Sequence, residues 1–478
     1  MNTKILFNFL WKFAERCGSQ IISFIVVIAL ARVLKPEDYG SVALITVFIS
    51  ILQVFVDSGL GTALVQKKDA DDIDFSSVFY FNIVICLLIY LLVYFGAPYI
   101  SEFYNLSNLS TVIRVLGLRI IISGVRNIQQ AYVSRNMMFK RFFISTFVAS
   151  ICSAIVGIML AYMDYGIWAL VAQQLINEFI GTFILWLTIK WRPILVFSYN
   201  RLKALLSFGW MLLISALLEN IYNNMRSIII GKLYTTTDLA FYNQGQLIPN
   251  VIINNISASI DSILLPVMSK VQDDTERIKA MTVRAIKTST YLLCPLMIGI
   301  AFCAESIIKL ILTDKWLGCV SYLRIFCLTY MFFPIHTANL NAIKAMGRSD
   351  LFLKLEVIKK FVGLIILFGT MHYGVLIMAY SMMIHSFICQ LINSWPNRRL
   401  LGYKYIDQLK DILPNILLST FAGCCTYIVG ILGLSSAITV LLQLMTGLIV
   451  YLVLSILFRV ESYEYIRSGI RKIYAKVL

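Results

Sequence analysis

Residues 78–100 read VFYFNIVICLLIYLLVYFGAPYI, and none of these positions carries a charge. Coiled as a helix at about 1.5 Å per residue, the run is about 34 Å long, enough to cross a hydrocarbon core of about 30 Å. It reads as a transmembrane span. Working outward from it, comparable apolar segments fall near 13–33, 41–56, 111–133, 142–163, 166–189, 204–231, 238–268, 286–312, 319–343, 352–370, 374–395, 412–432 and 437–458. With 78–100 they make about fourteen, and the second extends toward Leu60. The connections are short, which leaves no room for an extramembrane catalytic domain. The fold class is therefore an all-α integral membrane protein.

Composition agrees. The 478 residues are 59% hydrophobic and 14% charged, whereas soluble proteins carry about 25% charged residues. The net charge of +16 would point to nucleic acid in a soluble chain. Here it follows from the excess of Lys and Arg in cytoplasmic loops of membrane proteins, and no nucleic-acid partner is expected. With the N-terminus inside, 32 of the 41 Lys and Arg fall in cytoplasmic segments and 4 (Arg32, Lys35, Lys232 and Lys315) fall outside. That pattern puts both termini in the cytoplasm; the expected location is the cell membrane of a bacterium or archaeon. The first apolar segment has no small-residue cleavage site after it and reads as a retained helix.

The ten cysteines form no Cys-x-x-Cys pair, and His336, His372 and His385 are scattered. No metal site is expected. There is no Gly-rich phosphate loop and no Ser/His/Asp set, so no built-in ATPase or hydrolase is expected. The acidic run Asp69, Asp71, Asp72 and Asp74 reads as a solvated loop.

An internal repeat divides the chain. Residues 31–40 (ARVLKPEDYG) align with 231–240 (GKLYTTTDLA), 113–116 (IRVL) with 323–326 (LRIF), and 163–167 (MDYGI) with 371–375 (MHYGV). The offset stays near 200–210 residues. Six helices separate the copies, so both halves share one orientation; in transporters with such parallel repeats the substrate site lies between the halves. The expected organisation is a six-helix lobe at 1–190, a basic cytoplasmic linker at 191–203, a second lobe at 204–400, two additional helices at 401–460 and a cytoplasmic amphipathic tail at 461–478. In that tail Ile466, Ile470, Ile473 and Val477 share a face.

Ionisable residues inside spans each cost about 2.5–3.5 kcal/mol at mid-bilayer on insertion scales, so they mark cavities or partners. They are Arg114, Arg119, Glu178, Glu219, Arg226, Asp261, Lys309 and Arg324. Glu219, Asn223 and Arg226 form one stripe on the seventh helix, widened by Asn220 and Asn224. Asn250, Asn254, Ser257 and Asp261 form another on the eighth, and Lys12, Arg16, Ser19 and Ser23 a third on the first. The bland reading of such stripes is helix–helix glue; the functional reading is a polar cleft. The expected substrate cavity is Arg114, Arg119, Glu219, Asn223, Arg226, Asn250, Asn254 and Arg324, with the repeat-related Arg114 and Arg324 as its leading pair. Arginines suit a diphosphate because the planar fork binds two oxygens. Glu178 and Asp261 are the candidates for coupling to protons or sodium.

The residues ARVLKPEDYG at 31–40, Asp57-Ser58-Gly59-Leu60, Ala63-Leu64-Val65-Gln66, the run from Gln130 to Lys140 (QAYVSRNMMFK) and Trp191-Arg192-Pro193 resemble the polysaccharide (oligosaccharidyl-lipid) flippases. That family shares a superfamily with multidrug-and-toxin exporters and the lipid II flippase. The resemblance covers about residues 10–400. It implies a V-shaped pair of six-helix lobes working by alternating access. It further implies a polyprenyl-diphosphate-linked oligosaccharide as cargo, an ion gradient or membrane potential as the energy source, and no cofactor. Membrane lipids and other polysaccharide-assembly proteins are the implied partners. The lipid II branch carries arginines along its first helix; Gln20 to Leu30 has none, so that part of its site does not carry over. The two extra helices resemble those that shape a lipid-tail groove in that branch. Two other readings fit the composition. A small-molecule exporter on the same fold would favour an acidic cavity, whereas five basic residues stand against three acidic ones here. A membrane glycan polymerase would need a large external loop.

Overall fold

The computed structural model describes residues 3–57, 59–106 and 109–477, with side chains described from Gly18 onward except at 208, 469–470 and 472–477. The expectations for Lys12, Arg16, Ser58, Ile470, Ile473, Val477, Lys472 and Lys476 therefore lie outside what is described.

Among the described residues there are helices and no strands. The first helices are α1 (Thr3–Val33), α2 (Pro36–Asp57), α3 (Leu60–Gln66), α4 (Asp72–Phe103), α5 (Leu109–Arg135), α6 (Phe139–Tyr162), α7 (Ile167–Thr188), α8 (Tyr199–Leu233) and α9 (Thr236–Ser269). They are followed by α10 (Thr275–Phe302), α11 (Ala304–Ile311), a 3₁₀ turn (Asp314–Cys319), α12 (Val320–Tyr330), α13 (Phe333–Ala345), α14 (Ser349–Thr370), α15 (Val375–Leu400), α16 (Tyr405–Gly430), α17 (Ser436–Leu457) and α18 (Glu461–Val477). Ten helical stretches are long and apolar enough to cross a membrane, and an eleventh is α8, bent by 49° near Ser207. The other expected spans lie on α1, whose described apolar part is Gly18–Val33, on α5 with its arginines at 114, 119, 126 and 135, and on α14 with Lys354, Glu356, Lys359 and Lys360. This is a multi-pass membrane protein.

Three expectations change. The span at 286–312 is α10 followed by a separate short α11, so Lys309 is not inside a span; it forms an exposed i,i+4 pair with Glu305 at 2.8 Å. The expected span at 319–343 lies in one apolar stretch, Asp314–Ala345, but its helix is interrupted into α12 and α13 at Met331–Phe332, just before Pro334, whose ring and missing N–H prevent an unbroken ladder. The acidic run is solvated only in part: Asp69, Asp71 and Asp72 are exposed. Asp71 caps α4 and Asp74 is fully buried, paired to Lys67 at 2.6 Å. Arg201 reaches Asp71 from the start of α8, and the guanidinium holds that carboxyl below its ordinary range.

By packing, the chain divides into Met1–Ala240 and Phe241–Leu478. In the first unit α6 packs on α7 and α1, α5 on α4 and α7, and α8 on α2, α3 and α4. Those contacts are why α8 clusters with the helices before the linker. Its polar glue is specific: Asn224 donates to Asn220 Oδ1 at 2.8 Å and to Ser50 Oγ at 3.4 Å. Gly40 meets the Thr236 backbone so closely that a Cβ there would sit 1.8 Å from the carbonyl oxygen. In the second unit α10 is central, touching α12, α13, α16 and α18. Pro295 has no N–H for the Tyr291 carbonyl four residues earlier, and the Tyr451 hydroxyl of α17 donates to that oxygen at 2.9 Å. Tyr291, Leu418, Ala422 and Tyr451 form a core against which Tyr463 and Ile466 of α18 pack. The expected tail is thus a helix seated on this unit.

The repeat recurs in local geometry. The backbone N–H of Lys35 donates to Asp38 at the start of α2, and that of Thr235 donates to Asp238 at the start of α9. Gly166 and Gly374, with φ of 51° and 106°, precede α7 and α15. Met137 and Gly347, with φ of 52° and 72°, precede α6 and α14.

A charged cluster inside the helices

The densest membrane-embedded charge lies in the first unit, where α5 crosses α7. Glu178 stands mid-way along α7. Its Oε1 accepts from Arg119 at 3.1 and 3.3 Å, and its Oε2 accepts from Arg126 at 2.9 Å. Arg119 also donates to Gln174, one turn back on α7, at 3.2 Å. Arg126 and Glu178 are largely buried (side chains 12% and 16% exposed), Arg119 less so (31%). The geometry follows from spacing. Arg119 and Arg126 are seven residues apart, two turns on one face of α5, while Gln174 and Glu178 are one turn apart on α7. Gly181 admits the Arg126 guanidinium, which lies 3.2 Å from where a Cβ would be.

Beside this triad, α2 contributes Gln53, hydrogen-bonded to Ser123 of α5. Asn127 of α5 donates to the Val56 carbonyl at 2.7 Å and to Asp57 at 3.5 Å. The helix breaks here. Gly59 has φ 65°, and α3 begins at Leu60.

Of the expected cavity residues, only Arg119 enters this cluster. Arg114, five residues before Arg119 on α5, has different partners. Pro98 leaves the Tyr94 carbonyl without its helical partner; Arg114 Nε donates to that oxygen at 3.1 Å and its guanidinium lies 4.6 Å from the Tyr94 ring centre. Arg324, its repeat partner, does the same kind of work in the second unit, donating to the Ala301 carbonyl in the last turn of α10 at 3.3 Å. On α8, Glu219 and Asn223 are exposed, while Arg226 is 9% exposed with Nε and Nη2 lacking hydrogen-bond partners. On α9, Asn250 is half-buried and Asn254 exposed; Asp261 is exposed and accepts from Asn341 of α13 at 2.7 Å. Among the described residues no group of three His, Cys, Asp or Glu is placed to hold a metal.

Arg126 is the member of this cluster that sequence reasoning does not single out: the charge alternation places it with the cytoplasmic cations, yet it sits nine residues before the end of α5. Its seven-residue spacing from Arg119, together with an unpaired-looking Glu178, was the available signal. Asp57 was seen only as part of a motif.

Fold and charge together define an all-helical, multi-pass membrane protein with a polar cluster inside its spans. The chain belongs to the family described as "Polysaccharide biosynthesis protein", whose pattern matches residues 29–321. It is 24% identical to the succinoglycan biosynthesis transport protein ExoT of Rhizobium meliloti over 64% of this chain and 62% of that protein, which is under two thirds of that relative's length. It is 24% identical to the teichuronic acid biosynthesis protein TuaB of Bacillus subtilis, over 70% of this chain and 68% of that one. It is also 19% identical to the lipopolysaccharide biosynthesis protein WzxC of Escherichia coli, over 70% and 68%. Among solved structures, the lipid II flippase MurJ in an inward closed conformation matches with a TM-score of 0.78 at 18% identity, covering 94% of this chain and 99% of that one. An inward-facing multidrug resistance transporter of the MATE family matches with a TM-score of 0.63 at 14% identity, over 80% and 94%. These likenesses show a shared fold.

Proposed function

We propose that this chain is a flippase that moves a polyprenyl-diphosphate-linked oligosaccharide from the inner to the outer leaflet of the cell membrane by alternating access, in surface polysaccharide assembly. It performs no covalent chemistry on the glycan. Membership in the polysaccharide biosynthesis family supports this reading, as does a relative named as a succinoglycan biosynthesis transport protein. The observation that carries it is Arg226, a buried cation on a membrane helix with two guanidinium nitrogens unpartnered. Such a fork suits an anionic diphosphate. Arg114, Arg119, Glu219, Asn223, Asn250, Asn254 and Arg324 complete the proposed cavity. Residues 1–190 and 204–400 are the two lobes, with 401–460 added and both termini cytoplasmic. Energy comes from an ion gradient, with Glu178 and Asp261 as coupling candidates.

The test is reconstitution in proteoliposomes with a fluorescent polyprenyl-diphosphate oligosaccharide added to one leaflet. Wild type should expose the glycan to an enzyme on the far side, and Arg226→Ala should slow this at equal protein levels. Equal rates for wild type, Arg226→Ala and protein-free vesicles would overturn the reading.

A further inference from the structure

We propose that Asp57, at the break between α2 and α3, is a carboxylate that takes up and releases the coupling proton of this transporter. This rests on the ion-coupled reading above and deepens it, moving the proton from Glu178, which two arginines hold, and Asp261, which Asn341 holds, to Asp57.

Pro36–Gln66 is apolar enough to be one span, yet the helix stops at Asp57 and restarts at Leu60. The Val56 carbonyl thereby loses the amide of residue 60 as its partner, and the Asn127 side chain takes it at 2.7 Å. Interrupted spans of this kind carry ion sites in secondary transporters, because unwound backbone and helix ends present polar groups at depth. Asp57 is the last residue of α2, where the helix dipole opposes a negative charge. It is exposed. A carboxylate at this depth faces water rather than lipid, so a proton can reach it.

Its partners differ in kind from those of Glu178. Two arginines grip Glu178; Asp57 forms no ion pair among the described residues and meets the neutral amide of Asn127, which donates to the carboxylate at 3.5 Å. Gln53, one turn back on α2, is a neutral neighbour whose Oε1 is buried and has no partner among the described residues. The proton comes from water, binds an Asp57 oxygen and returns to water. The charged and titratable groups on the packed elements are Arg119 and Arg126 on α5 (both committed to Glu178), Glu178 on α7, which acts on Asp57 electrostatically, and Cys86 on α4. On α8, Gly209 and Leu212 stand against Gly59. Glu219 and Arg226 lie about two and four turns further along.

The test uses the full chain in lipid nanodiscs with dicyclohexylcarbodiimide, which adds across its N=C bond to a protonated membrane carboxyl and leaves a stable acylurea. Peptide mapping reads the label site by site as pH is varied. The expected result is label on Asp57 falling about ten-fold per pH unit above its midpoint, with Glu178 unlabelled. Label on Glu178 but not on Asp57 overturns the proposal, and no mutant is needed to see it. In proteoliposomes, an imposed pH gradient should accelerate wild type and Asp57→Glu but not Asp57→Asn. An Asp57→Asn protein that still responds to the gradient also overturns it. If wild type moves no glycan at all while Asp57 titrates as expected, the glycan reading fails and the proton site stands.

Discussion

Replacing Glu178 by Gln removes the one anion that two membrane arginines share. The size of the effect follows from the geometry. A charge pair about 4 Å apart is worth about 4 kcal/mol at an effective dielectric of 20, and breaking a buried pair by deleting one partner costs about 3–5 kcal/mol because the other charge is stranded. Arg126 and Glu178 are 12% and 16% exposed, so that pair carries most of the effect. Arg119, at 31%, is partly relieved by water. The expected loss is about 3 kcal/mol. At about 2–4 °C per kcal/mol for a unit of this size, the unfolding midpoint drops by about 6–12 °C. Tryptophan fluorescence during a thermal ramp in lipid nanodiscs measures it. Glu178→Gln with Arg126→Gln should recover a large part of the loss, since the stranded cation is gone. A single variant that melts with wild type would refute the argument that this triad holds α5 to α7.

Three further outcomes are expected. Arg114→Ala strands the Tyr94 carbonyl and should cost about 1–3 kcal/mol; adding Pro98→Ala, which restores the helical N–H, should return part of that in the same thermal assay. Gly40→Ala places a methyl 1.8 Å from the Thr236 oxygen. Both sides are backbone, so no side chain can yield, and a loss of at least about 1–3 kcal/mol is expected, read as a lower midpoint. Because Arg201 lowers the Asp71 pKa on folding, the contact stabilises above the unfolded value of about 3.9 and is lost as pH falls through the lower folded value. The exchange protection factor of amides at residues 199–207 should therefore fall with acid in wild type and be low and flat in Asp71→Asn.

The helices were legible because each span is a long apolar run, and the repeat was legible because its marks are turn residues. Asp38 and Asp238 both accept from a backbone N–H at a helix start, and Gly166 and Gly374 both adopt positive φ. Breaks inside spans were not legible. Hydropathy is blind to Gly59 and to the Met331–Phe332 kink, since both flanks remain apolar. The partners of the membrane charges were hidden for another reason. Helical periodicity puts Arg119 and Arg126 on one face but does not say which neighbour that face meets, so Arg126 was read as a loop cation. The repeat relates Arg114 to Arg324, and what they share in the structure is a backbone carbonyl each. For Arg114 that carbonyl is freed by Pro98, sixteen residues earlier in the chain.

The central claim is tested most directly by depleting the protein in its native host and measuring polyprenyl-diphosphate oligosaccharides by mass spectrometry, with the leaflet assigned by accessibility to an external enzyme. The account predicts accumulation of one complete oligosaccharide unit on the inner face, together with loss of the corresponding surface glycan. Intact surface glycan with no accumulated precursor would contradict it.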